Sequence, residues 1–224
     1  MVLNLIVDMK KKILWFLFAI FSITIALYPL LYLLTDGKFG ILNSKPEWLL
    51  ASAVWNAAFY THIAFGGISL LIGWTQFSSK LRAINVRIHR QIGKIYVVSA
   101  LLSSFSGFYI ALFADGGFWA SLGFSILGVI WFCTTLIAYL AIRNKQLIRH
   151  QTMMIYSYAA CFAAVTLRIW LPVLILIIGN FRTAYIIIAW WSWIPNLLVA
   201  YLIVKRLTKG LELNQDPLIR KRAL

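Results

Sequence analysis

The chain has 224 residues, 62% hydrophobic and only 12% charged, with a mean hydropathy of +0.85 and a formal charge of +15. Soluble domains carry about half apolar and a quarter charged residues, so this composition excludes a water-soluble enzyme or nucleic-acid-binding module. It indicates an all-α membrane protein, and the positive charge then belongs to loops that meet anionic headgroups at the cytoplasmic face.

A helix crosses the hydrocarbon with ~20 mainly apolar residues, and six stretches meet that length: 13–34, 48–77, 95–114, 119–142, 152–172 and 183–204. The first follows Lys10, Lys11 and Lys12 but is too long for a signal h-region and lacks a small-x-small site, so it reads as a retained span. The second is preceded by the turn-rich segment 35–47. The third and fourth form a hairpin around Asp115-Gly116-Gly117, and the fifth is open to extension through the apolar run 173–178. Pro195 interrupts the sixth, frees the carbonyl of Trp191 and predicts a kink that can line a cavity. Short spans without period-2 alternation exclude a barrel.

Seventeen of the 21 Lys and Arg lie before the first span, between spans two and three, between spans four and five, and in the tail. Only Lys38, Lys45 and Arg182 lie in the opposite loops, and Arg168 lies within a span. The positive-inside rule therefore predicts a six-transmembrane-helix bundle with both termini cytoplasmic. The expected organisation is one integral domain over residues 1–224, ending in a basic tail at 205–224. Trp48, Trp119 and Trp170 suit one interfacial belt, and Trp15 and Trp74 the other. Cys133 and Cys161 both fall in apolar spans without a CxxC, so no disulfide framework is readable.

Several phrases occur together in order: His62-Ile63, Gln76-Phe77, His89-Arg90-Gln91-Ile92-Gly93-Lys94-Ile95-Tyr96, His150, Ser157-Tyr158-Ala159, Ala163-Ala164-Val165-Thr166-Leu167-Arg168, Leu171-Pro172 and Trp193-Ile194-Pro195-Asn196-Leu197. From the second span to the sixth the chain resembles a bacterial membrane-protein family known as domain of unknown function number two-three-zero-six. The resemblance implies a multi-pass protein of the bacterial inner membrane and supplies no activity. The family pattern has an arginine where this chain has Tyr156 and a tryptophan where it has Met153, so no role resting on that arginine carries over.

Ionisable side chains inside spans are costly and mark functional candidates. Two stand out, His62 and Arg168. Counted at ~1.5 Å per residue from the cytoplasmic ends, each lies ~22–24 Å deep, so both can face one pocket in the outer half. An acidic or carbonyl-bearing amphipathic ligand would bind there, with Asn56, Tyr60, Thr166 and Asn196 completing its hydrogen bonds. Gly66 and Gly67 would let a flat ligand or another helix approach. The competing assignments are an Arg168 that snorkels to headgroups and a His62 that serves as a strut between helices.

His89 and His150 form a second pair at equal depth, flanked by Arg90 and Arg149, as a b-type haem carrying electrons would require, with His62 as the alternative ligand. Both lie at the aqueous edge, where lipid-facing loop residues are the commoner explanation. No phosphate loop, HExxH or paired intramembrane carboxylate is present, and no metal site is predicted. A non-catalytic scaffold, whose polar groups only fix helix register, completes the set of alternatives.

Overall fold

The computed structural model describes residues 2–35 and 40–215. Lys38 and the tail beyond residue 215 lie outside the described residues, as do the side chains of Lys10 and Lys11. The described chain is helical almost throughout: α1 (Val2–Leu27), α2 (Leu31–Leu34), α3 (Glu47–Leu50), α4 (Ala53–Gly73), α5 (Ser79–Ile84), α6 (Val86–Ala111), α7 (Phe118–Arg143), α8 (Leu147–Cys161), α9 (Ala163–Ile178), α10 (Phe181–Trp191) and α11 (Ile194–Gln215). Among the described residues six stretches are long and apolar enough to cross a membrane: Lys12–Leu30, Ala53–Phe77, Val86–Ala111, Phe118–Arg143, Leu147–Ile178 and Phe181–Lys209. Their outward faces are greasy: Phe105 is 71% and Leu176 84% exposed, which suits lipid and not water.

Element ends follow local chemistry. Ser52, Ser78 and Asn180 each accept a backbone N–H of the helix that follows, and Asn85 accepts two, from Arg87 and Ile88. The Asn85 cap starts the third span nine residues before position 95. His89, Arg90 and Lys94 consequently ride on the first turns of α6 instead of a loop. The Ser52 cap likewise separates α3 from α4, so the second span begins at Ala53 and not at Trp48. The fifth span does run on to Ile178, through Pro172, and closes on Gly179 at φ +71°.

The fifth and sixth spans each carry a local irregularity in an otherwise right-handed helical backbone. Phe162 separates α8 from α9, and Ser192 and Trp193 separate α10 from α11, with Pro195 in the first turn beyond. The irregularity beside Pro195 falls at Ser192–Trp193, where the backbone stays right-handed helical and the Trp193 N–H turns to Trp190 O at 3.4 Å. Asn196 bridges the two irregularities. Its Nδ2 donates to the carbonyls of Ser192 (3.0 Å) and Ala159 (3.4 Å) and to Thr166 Oγ1 (3.0 Å).

Helices α4, α6, α7 and α8 pack in succession, with α1 against α4 and with α10 joining α9 to α7. Two cores result. One, toward the end that bears the basic residues of α5, α6 and the α7–α8 turn, centres on Tyr96, Tyr158, Trp131, Leu70 and Val165. Gly73 makes room for it, because a Cβ there would come within 2.5 Å of the Tyr158 ring. Tyr158 donates to Leu70 O (3.0 Å) and to Ser22 Oγ (3.0 Å), and Ser157 Oγ lies 2.9 Å from Tyr96 OH and 2.7 Å from Thr135 Oγ1. The second core, at the opposite end, gathers Tyr32, Leu42, Leu49, Trp55 and Phe59 beneath the 40–50 segment. Trp48 and Trp119 are exposed as an interfacial belt requires, whereas Trp74 turns inward and meets the Trp15 ring edge-on at 5.9 Å.

Candidate functional site

A cavity of about 790 Å³ lies toward the end opposite the basic loops. Volumes of ~300–1,000 Å³ are usual for small-molecule sites. Its wall draws on the turn after α1 (Tyr28), α2 (Tyr32), α4 (Phe59, His62), α6 (Gly107, Ile110), α7 (Leu127, Trp131) and α9 (Leu167, Arg168), and the segment 40–45 covers one side. Most of the lining is apolar, and among the described residues none of it is acidic.

Arg168 sits one turn into the second half of the fifth span, and Pro172 four residues on leaves the Arg168 carbonyl without its helical donor. The guanidinium lies 4.5 Å from the centre of the Tyr28 ring, and its Nη1 donates to Ala164 O at 3.0 Å. Tyr28 in turn meets Tyr32 edge-on at 5.9 Å, and Tyr32 meets Phe59 at 5.4 Å. An aromatic face attracts a cation by about 0.5–2 kcal/mol, and it does not neutralise it. Among the described residues no carboxylate pairs with Arg168. The guanidinium therefore faces the cavity and does not reach outward to headgroups.

His62 is held by α6. Its Nδ1 donates to the carbonyl of Ser103 at 2.9 Å, and the Ser103 hydroxyl returns a bond to the His62 carbonyl at 2.8 Å. Gly107 leaves space for the ring, since a Cβ there would fall 2.6 Å from Nδ1. His62 is thus both a strut between α4 and α6 and part of the cavity wall.

The mouth carries a second charged group. Lys45 Nζ lies 2.6 Å from Asp115 Oδ1 and donates to Phe113 O at 2.6 Å, while Ser44 donates to Asp115 Oδ2 at 2.6 Å. The Lys45 side chain is only 5% exposed. This cluster ties the 40–50 segment to the α6–α7 turn. The sequence reading had given Asp115 only a turn-forming role, and the pairing joins residues 70 positions apart with no local signal.

The other sequence candidates lie elsewhere. Asn56 donates to Leu50 O at 2.6 Å and fixes the turn before α4. Tyr60 is exposed on the outer face of α4. Thr166 and Asn196 engage each other at the helix irregularities. None of these four lines the cavity. Gly66 does, but its close neighbour is Ser103 Oγ, 2.9 Å from a hypothetical Cβ, and Gly67 abuts Ala26 O. Both glycines serve helix packing.

His89 and His150 are half-buried at the basic end, and His150 Nδ1 donates to Ala138 O at 2.8 Å. Neither lines the cavity, where His62 is the sole histidine. No group of three or more His, Cys, Asp or Glu able to hold a metal ion occurs among the described residues. The structure gives the haem assignment no support.

Comparison with curated proteins and with solved structures gave no match. Residues 59–204, about two thirds of the chain and including all three histidines and Arg168, match the family described as "Predicted membrane protein (DUF2306)". The chain belongs to that family of multi-pass membrane proteins.

Proposed function

We propose that this protein binds a small amphipathic anion in the cavity, with the acidic head on Arg168 and the apolar body along Leu127, Trp131 and Ile110. The observation that carries the reading is a guanidinium facing an apolar cavity whose wall, among the described residues, holds no acidic side chain. A cation taken out of water costs several kcal/mol unless it is compensated. An incoming anion supplies that compensation, and a planar guanidinium suits a carboxylate or phosphate by two parallel hydrogen bonds.

The basic end is assigned to the cytoplasm of a bacterial inner membrane, where it meets anionic headgroups. Both termini are then cytoplasmic and the cavity lies in the outer half. His62 lines the same space, which supports a joint role for the two groups. For a bis-histidine haem the cavity offers no second imidazole, so electron transfer is not favoured.

Small molecules that co-purify in mild detergent should be extracted and identified by mass spectrometry from wild type and Arg168→Gln. The expected result is an acid-bearing species in wild type that falls about tenfold or more in the variant, the loss of one charge-assisted pair. An identical profile in both would reject the reading.

A further inference from the structure

The polar group opposite Arg168 specifies more than an acid. We infer that the ligand also carries a hydrogen-bond donor, a hydroxyl or an amide N–H beside its acidic head, and that His62 Nε2 accepts it. The inference rests on the anion reading above and adds the chemistry of a second contact.

The tautomer of His62 is set by its surroundings. A carbonyl oxygen can only accept, so His62 Nδ1, 2.9 Å from Ser103 O, must bear the hydrogen. Ser103 Oγ lies 3.2 Å from the same nitrogen, and its own hydrogen is directed to His62 O at 2.8 Å. That oxygen too therefore presents a lone pair to Nδ1–H. A neutral imidazole has one N–H, which leaves Nε2 as an acceptor. A second positive charge on the ring would share the cavity with Arg168, and among the described residues no acidic side chain lines that cavity.

The ring cannot turn to exchange its nitrogens. Nδ1 is pinned from the α6 side, where Gly107 brings that helix's backbone against the imidazole. No described residue hydrogen-bonds to Nε2, and Ser104, the nearest lining hydroxyl on α6, already donates to Ala100 O at 2.6 Å. The cavity thus presents a fixed donor fork in Arg168 and a fixed acceptor in His62, joined by apolar wall. A plain fatty acid satisfies only the first. An acid with a hydroxyl or amide N–H near its head satisfies both.

The test uses full-length protein in lipid nanodiscs and four probes: hexadecanoate, 3-hydroxyhexadecanoate, 3-methoxyhexadecanoate and hexadecan-1-ol, with dissociation constants from equilibrium titration. The hydroxy acid is expected to bind about fivefold tighter than the plain and methoxy acids, the worth of one net hydrogen bond. His62→Phe, which keeps a ring but no acceptor, should abolish that preference while acid binding persists. If the variant does not fold, the methoxy probe decides alone, since it retains bulk and loses the donor. Equal binding of the three acids overturns the inference and leaves the anion reading standing. Acids that bind no better than the alcohol overturn the anion reading itself.

Discussion

The two ends of the bundle use polar side chains in opposite ways. Toward the basic end, Tyr96, Ser157, Thr135, Tyr158 and Ser22 satisfy one another across α1, α6, α7 and α8, around a ring pressed onto Gly73. Toward the other end, Arg168 meets an aromatic face and a carbonyl of its own helix, and His62 commits only one nitrogen. Hydroxyl groups that pair internally specify a unique packing. Groups that keep hydrogen-bonding capacity facing a void specify a guest. Position along one helix pair is enough to change the use of the same chemistry.

The sharpest way to break this contrast is to overfill the tight end. Gly73→Val drives a branched side chain into Tyr158, and unfolding in detergent should show a loss of about 3 kcal/mol, with a smaller loss of about 1 kcal/mol from Gly179→Ala, whose cost is the positive φ alone. Next comes Asp115→Asn, which leaves the buried Lys45 ammonium without its anion. A loss of about 2 kcal/mol is expected, and hydrogen exchange should rise across residues 40–50 before it rises in α8. Ser157→Ala strips Tyr96 of its partner and should cost about 1–2 kcal/mol by thermal unfolding. The smallest effect belongs to Arg168→Met. Removing an uncompensated cation from ligand-free protein should leave stability unchanged or raise it by up to about 1 kcal/mol. A clear loss would assign Arg168 a purely structural role and erase the difference between the two ends.

Hydropathy and charge made the spans legible, and residue counting put His62 and Arg168 at one depth. The facing of each side chain was not legible. A helix that is apolar all round carries no periodic mark of its inner side, so Tyr60 could be counted as a site residue when it points outward. Asn56, Thr166 and Asn196 lie away from the cavity for a related reason. Polar residues in lipid first satisfy backbone carbonyls exposed by turns and helix irregularities, and those irregularities become visible only when Phe162 and Ser192 are seen side by side. Tyr28 and Tyr32 escaped notice because aromatic residues near a span end read as interfacial anchors. Their use as a platform beneath a guanidinium depends on a contact between the first and fifth spans.

The irregularities at Phe162 and at Ser192–Trp193 have a mechanical consequence. Between them, α9 and α10 form a hairpin that supplies Arg168, Leu171, Phe181 and Tyr185 to one side of the chamber. This panel is seated through α10, whose Trp190 Nε1 donates to Trp119 O at 3.2 Å, and the amide of Asn196 ties its two attachments together. Any displacement of the panel must therefore break its seat on α7 as well as the ties of Asn196, and that seat holds Arg168 against the Tyr28 ring.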